Sequence, residues 1–213
     1  MSLKQEKAKS KKKDRMNELA NGIFAPIYPI IAENIVNELN ILQGVCVDVG
    51  SGPGSLAIAL AKITDLQMIL LDPSKDMHQH ALDNIKACHL QNRVRLLSGD
   101  VHRIPLESGQ VDLVISRGSV FSWEDLEQAF KEIYRILAPG GKSFIGGGFG
   151  NKAMTEQVTE QMLEINPNWK KFREKNFSQH NRDRIKNILN GCKNKYKTIE
   201  KETEFWIIME KES

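Results

Sequence analysis

No stretch of this 213-residue sequence is apolar for long enough to span a bilayer. The basic N-terminal run leads into no apolar segment, so no signal peptide is expected. Only three cysteines occur, Cys46, Cys88 and Cys192, and they are too scattered and too odd in number for a disulfide framework or a zinc pattern. No internal repeat appears, and no low-complexity segment outside the N-terminus. These absences leave a chain with reduced thiols, expected to be cytoplasmic. At 40% apolar and 27% charged it has the make-up of an ordinary globular protein, and its length suits one domain.

The net charge of +3 is unevenly spread. Residues 1–13 carry six lysines against one glutamate, so the rest of the chain is net −2. A solvated basic tail over residues 1–15 is expected, and a tether to RNA is the sharper alternative. A second basic stretch, residues 168–186, holds Lys170, Lys171, Arg173, Lys175, Arg182, Arg184 and Lys186 against Glu174 and Asp183. It reads as a solvated helix face, or as a surface for an anionic substrate or RNA.

What is present is an alternation of short apolar runs and amphipathic stretches. VCVDV (45–49), MILLD (68–72), RVRLLS (93–98), VDLVIS (111–116) and KSFIGG (142–147) read as five strands buried on both faces, as in a parallel sheet. Between them, Met77, Ala81, Ile85 and Cys88 share one helical face, and so do Leu126, Phe130, Ile133 and Leu137. SWED (122–125) has the form of a capping box, with Ser122 as cap and Asp125 answering it, and APGG (138–141) stops the helix. A helix over 27–39 precedes the first strand, with Ile30 or Ile31, Ile35 and Leu39 facing inward. Two more helices, 151–165 and 179–190, follow the fifth. KYKTIEKETEFWIIMEK closes the pattern as a hairpin whose second strand is 204–210. The alternation predicts an open α/β sheet with right-handed crossovers.

In such a sheet, ligands bind beyond the carboxyl ends of the strands. DVGSGPG (48–54) lies at the end of the first strand. Gly50, Gly52 and Gly54 permit a tight turn and close backbone approach, and the helix starting near Gly54 directs free N–H groups toward the site. Asp72 ends the second strand, 24 positions after Asp48, where a carboxylate accepts from a ribose diol. SGD (98–100) ends the third and sets Gly99 and Asp100 at the same rim, in reach of an adenine amino group. Three acids on three successive strand tips point to a nucleoside site. A dinucleotide fingerprint would need glycine at position 55, which is Ser55, and Asp48 would repel a pyrophosphate. S-adenosylmethionine carries no phosphate and has an ammonium that Asp48 suits, so the pattern favours it.

These motifs resemble those of the class I S-adenosylmethionine-dependent methyltransferases, in particular the small-molecule branch that includes ubiquinone- and menaquinone-biosynthesis enzymes. The likeness spans residues 22–148 through DVGSGPG, LLDPSKDM (70–77), LLSGDVHRIPLESGQVDLVISRGSVFSW (96–123) and EIYRILAPGGKSFIGG (132–147). It implies a Rossmann-like, mostly parallel seven-stranded sheet with helices on both faces and an antiparallel C-terminal strand pair. It also implies a helical cap over 16–44, a cofactor-binding core over 45–148, a helical insertion over the acceptor site at 149–192, and the strand pair at 193–213. Gly50, Ser51 and Gly52 would line the methionine part of the cofactor, with Ser116 and Arg117 near its amino and carboxylate groups. Asp72 would hold the ribose, beside Pro73, Ser74 and Met77. Asp100 and Val101 would meet the adenine, with His102 nearby, and Tyr28 would cover the cofactor from the other side. S-adenosylhomocysteine is the product this implies.

The acceptor is less legible. Phe24, Phe121, Trp123, Phe149 and Trp169 are candidates for an aromatic pocket, although Trp123 fits first-turn helix packing equally well. His102, His180 and Tyr28 are the weak candidates for acid–base work. SRGS (116–119) stands where amino-methylating DNA enzymes carry an Asn/Asp-Pro-Pro-aromatic motif, and no cysteine is placed as a nucleophile. A small-molecule acceptor is expected. RNA or protein methylation and non-enzymatic cofactor binding stay open as alternatives.

Overall fold

The computed structural model describes residues 14–192 and 195–212. The basic run of residues 1–13 lies outside the described residues. Asp14 and Arg15, expected in the tail, are helical within α1 (residues 14–21), and Arg15 Nη2 donates to the Ile165 carbonyl at 3.2 Å.

Seven strands form one sheet: β1 (Val45–Val49), β2 (Gln67–Asp72), β3 (Val94–Ser98), β4 (Val111–Arg117), β5 (Leu137–Gly147), β6 (Tyr196–Lys201) and β7 (Glu204–Met209). Their spatial order is β3-β2-β1-β4-β5-β7-β6. The first five run parallel and β7 runs antiparallel to both of its neighbours. Strand order reverses between β1 and β4, the place where an open sheet leaves a crevice at its carboxyl edge.

Alternating side chains feed two cores. Cys46, Met68, Leu70, Leu113, Ile115 and Phe144 pack under α2 (Ile27–Leu39), α3 (Ser55–Ala61), α4 (Lys75–Ala87) and α6 (Lys152–Ile165). Val47, Val49, Ile69, Leu71, Val114 and Ile145 pack under α5 (Leu126–Ile136) and α8 (Gln179–Gly191). Apolar side chains on both faces explain why these strands read as continuous runs instead of alternating ones. In α2, Ile31 rather than Ile30 is the fully buried choice.

Three local expectations need correction. β5 begins at Leu137, five residues before the expected start. Leu137 pairs with Val111, and the register then shifts before Leu113 pairs with Lys142, so Ala138–Pro139–Gly140–Gly141 forms an irregular part of the strand. α7 (Trp169–Phe177) lies in the basic stretch that reads as a solvated helix face, but its separate bounds were not foreseen. It buries no residue fully, so it has no apolar stripe to give it away.

The start of α5 is also different. Asp125 itself is the N-cap and accepts from Gln128 N at 2.9 Å. Ser122 lies in the preceding 3₁₀ turn (Ser119–Ser122) and donates to the Ser119 carbonyl at 2.7 Å. The difference has a measurable outcome. Asp125→Ala is expected to lower stability by about 1 kcal/mol in urea unfolding, the usual cost of a lost cap. Ser122→Ala should cost clearly less, and the reverse ranking would restore the capping box.

Candidate active site

The glycine turn is built by its neighbours. Gly50 N and Ser51 N both donate to the Leu71 carbonyl, at 2.8 and 3.2 Å, which ties the turn to the tip of β2. A Cβ on Gly50 would lie 2.6 Å from Ser119 Cβ, and one on Gly54 would lie 2.4 Å from Leu70 Cδ2. Both also have positive φ, +66° and +80°, so a side chain is excluded by backbone and by space. Asn84 Nδ2 donates to the Pro53 carbonyl at 2.9 Å and pins the turn to α4.

Asp48 is 2% exposed in the middle of this arrangement. Burial, reinforced by the nearby Asp72 carboxylate, raises its pKa to about 7, against a hydrogen bond from the Ala57 N–H that pulls the other way. The N–H expected to face a ligand at the head of α3 is thus spent on Asp48.

Asp72 accepts from Gly52 N at 3.0 Å through one carboxylate oxygen and from Ser74 N at 2.8 Å through the other. Each oxygen keeps a lone pair free. Ser74 caps α4 through Met77 N at 3.3 Å, and Met77 is buried behind the turn with its sulfur facing Gly52.

A cleft of about 400 Å³ opens beyond β1, β2 and β3, within the size range of small-molecule sites. Of the expected residues, Gly50, Asp72, Pro73, Gly99, Asp100, Val101 and His102 stand on its wall. So does Trp123, which meets Phe130 edge-on at 6.2 Å and lies apart from the aromatic cluster described below.

His102 is held on three sides. Its backbone N–H donates to Asp100 Oδ1 at 2.8 Å, and its Nδ1 makes a short contact with the same oxygen. Its Nε2 accepts from Asp125 N at 3.2 Å, which assigns the ring proton to Nδ1. The bonds from His102 hold Asp100 below the ordinary carboxylate range. With its free lone pair already engaged, His102 links the rim of β3 to the head of α5 and is poorly placed as a base.

Sequence reasoning missed Ser119, Ser122 and Glu124 on the opposite wall. Ser119 donates to the Val49 carbonyl at 3.0 Å and stands 2.6 Å from the fully buried Ser116 hydroxyl. The Ser-x-x-Ser spacing after β4 was the available signal.

A second group of side chains lies between the turn and the cap. Phe24, Phe149 and Trp169 have ring centroids 6.0–6.4 Å apart. The Arg117 guanidinium carbon is 5.1 Å from the rings of both Phe24 and Phe149, and 5.8 Å from that of Tyr28. Burial lowers the pKa of Arg117 and raises that of Tyr28. Tyr28 is therefore a hydrogen-bonding group and a weak candidate base. Phe121 packs edge-on against Phe177 at 5.2 Å. His180 is exposed on α8, off the cleft wall.

The basic stretch is not one solvated face. Lys170, Lys171, Lys175 and Arg184 are exposed, but Arg182 is 7% exposed and donates to the carbonyls of Phe177, Lys201 and Glu202. Lys186 pairs with Asp183 and Glu200.

The arrangement suits an adenosine with a zwitterionic tail. Ser51 Oγ is buried beside the turn without a hydrogen-bond partner among the described residues, a cost that a polar ligand would relieve. Two carboxylates near the turn disfavour a pyrophosphate. Among the described residues no cluster fit to hold a metal occurs, and no helix is long and apolar enough to cross a membrane.

Comparison with known proteins agrees with this chemistry. Residues 47–145 match the model of the methyltransferase domain family. A crystal structure from Methanococcus maripaludis, described as a candidate S-adenosyl-L-methionine-dependent methyltransferase, is 49% identical, with a TM-score of 0.93 and coverage of 96% of this chain and 94% of that one. An uncharacterized methyltransferase of Bacillus subtilis, YdaC, is 33% identical over 126 residues, covering 55% of this chain and 67% of that protein. The chloroplastic 2-methyl-6-phytyl-1,4-hydroquinone methyltransferase of Spinacia oleracea is 30% identical over 110 residues, 52% of this chain. This chain covers only 31% of that enzyme's length. By its glycine turn, its strand-tip acids and these relatives, the chain belongs to the S-adenosylmethionine-dependent methyltransferases.

Proposed function

We propose that the protein transfers the methyl group of S-adenosylmethionine to a small-molecule acceptor by in-line displacement. The observation that carries this reading is the Asp72 carboxylate, fixed by Gly52 N and Ser74 N at the edge of the cleft with a lone pair left on each oxygen. When bound, the cofactor supplies an electrophilic methyl group on sulfur.

The chain's own residues have separate tasks in this reading. Asp72 accepts from the ribose hydroxyls. Asp100 and Val101 border the adenine, beside Gly99 and Pro73. Asp48, Ser51 and Ser55 take the methionine ammonium, and Ser116 and Arg117 stand near the carboxylate. Tyr28 and the aromatic side chains exclude water from the reacting atoms. His102, Tyr28 and His180 offer no unencumbered base in the site, so positioning is the main source of rate. That suits an acceptor atom already nucleophilic at neutral pH. Relatives named for quinol, sterol and malonyl-carrier substrates support an acceptor other than nucleic acid. The free cysteines suit a reducing, cytoplasmic setting.

Two measurements test the reading. Calorimetry should give binding of S-adenosylmethionine and S-adenosylhomocysteine and none of NAD; binding of NAD alone would overturn it. Radiolabelled methyl transfer into a fractionated metabolite extract should label a small molecule. Label appearing only in RNA or protein would move the acceptor to another class.

A further inference from the structure

The cofactor reading leaves one charged group without a task. Arg173, on α7, has its guanidinium carbon 4.8 Å from the centre of the Phe149 ring, the same ring that Arg117 approaches to 5.1 Å. Its Nη1 donates to Thr159 Oγ1 at 2.7 Å, and its Nε is buried with no partner among the described residues. Arg117 donates from Nε to the Gly148 carbonyl at 3.3 Å. Among the described residues, no carboxylate lies within 4.0 Å of either guanidinium. Two like charges therefore stand around one aromatic ring: Arg117, which the proposed cofactor carboxylate would neutralise, and the half-buried Arg173, for which that reading supplies no counter-ion. Burial and the charge of Arg117 both disfavour ionised Arg173, and only the exposed Glu202 acts in its favour from a distance.

A chain that retains such a pair carries a cost that an anion would remove. A guanidinium has five N–H donors in a planar fork that matches carboxylate or phosphate geometry. Arg117 also bonds Tyr28, whereas Arg173 uses one donor, so most of its fork remains for a ligand. The surrounding rings, Phe24, Phe149, Phe177 and Trp169, suit an apolar body next to that anion.

We infer that Arg173, beside the Phe149 ring, recognises an oxyanion, carboxylate or phosphate, carried by the methyl acceptor. This rests on the methyltransferase reading for the identity of the ligand as acceptor, but the anion site itself does not.

The probes are benzoate and phenyl phosphate, with benzamide as the uncharged reference. Each is titrated calorimetrically into the protein with and without saturating S-adenosylhomocysteine. At least one anion is expected to bind tenfold or more tightly than benzamide, and the better of the two names the oxyanion. Arg173→Gln should remove that preference without lowering the melting temperature in the absence of anion, because it relieves a like-charge contact. Arg173→Lys, which keeps the charge but not the fork, should retain only part of it. The double variant Lys170→Gln and Lys171→Gln should leave the preference intact, since both lysines are exposed. Equal binding of anions and benzamide overturns the proposal, as does a preference that survives Arg173→Gln or disappears with the exposed lysines. Failure of S-adenosylhomocysteine to bind the unaltered protein counts against the methyltransferase reading alone, because the anion arm is judged without it.

Discussion

Replacing Asp72 by alanine is expected to weaken S-adenosylhomocysteine binding about a hundredfold in calorimetry at pH 8, a loss of about 2.7 kcal/mol. Two contributions combine. The carboxylate is only 8% exposed, so its hydrogen bonds form in a poorly solvated place. Contacts to a charged group there contribute about 1.5–3 kcal/mol each. Alanine also frees Gly52 N and Ser74 N, which hold the turn and the head of α4 in position. Asp72→Asn keeps an acceptor for one of those N–H groups but loses the charge, and a loss nearer tenfold is expected. Thermal unfolding of each variant separates the two contributions. A weakened ligand with a little-changed melting temperature assigns the effect to the ribose contact. Unchanged affinity in Asp72→Ala removes Asp72 from the cofactor site.

Asp48 predicts an effect of similar size that depends on pH. Its folded pKa is raised to about 7, whereas an unfolded aspartate ionises near pH 3.9. Between those values the folded state holds a proton that the unfolded chain has released. Stability should therefore fall as pH rises from about 4 to about 7, by about 4 kcal/mol in all, and level off above. A ligand ammonium next to this carboxyl favours its ionised form, so cofactor affinity should move the opposite way. S-adenosylhomocysteine affinity is expected to rise about tenfold per pH unit below 7 and to flatten above it. Asp48→Asn should abolish both slopes and leave a protein more stable than the parent at pH 8. Urea midpoints and calorimetry from pH 5 to 8 give both curves. Slopes that persist in Asp48→Asn would place the titrating group elsewhere.

The elements most easily read in the sequence were those whose identity is set by burial alone. β1, β2 and β4 are apolar on both faces and appeared as apolar runs, and the strand-tip acids followed from where those runs end. α7 had no legible bounds because none of its residues is fully buried, so no periodicity marks where it starts and ends. The SWED stretch misled because two side chains there are able to cap, and only the preceding 3₁₀ turn decides between them. In the same way, the pattern around SGD gave Asp100 as a rim residue and the family resemblance set His102 nearby, but neither gave their mutual bond or the tie from His102 to Asp125. Ser51 entered the site through the family resemblance alone, and nothing in its spacing signals that its hydroxyl is buried and unsatisfied. Arg173 was counted as part of a basic face. Its inward direction depends on rings contributed by distant segments, which no local spacing encodes.

The position of β7 bears on how the molecule assembles. All six of its residues are buried, and it lies between β5 and β6. Ile145 must find Ile207 before that part of the sheet exists, and the intervening loop contains α6, α7 and α8. Closing so long a loop delays the pairing, since its entropic cost precedes any reward. α6, α7 and α8, which bring Trp169 to the aromatic cluster, are tied to the sheet at both ends only when β7 has docked. The strand tips at the nucleoside end of the cleft, those of β1, β2 and β3, pair across far shorter connections, each a single helix long, and form earlier. A newly made chain should thus complete the cleft at the tips of β1 to β3 before the aromatic cluster that the proposed function assigns to the acceptor.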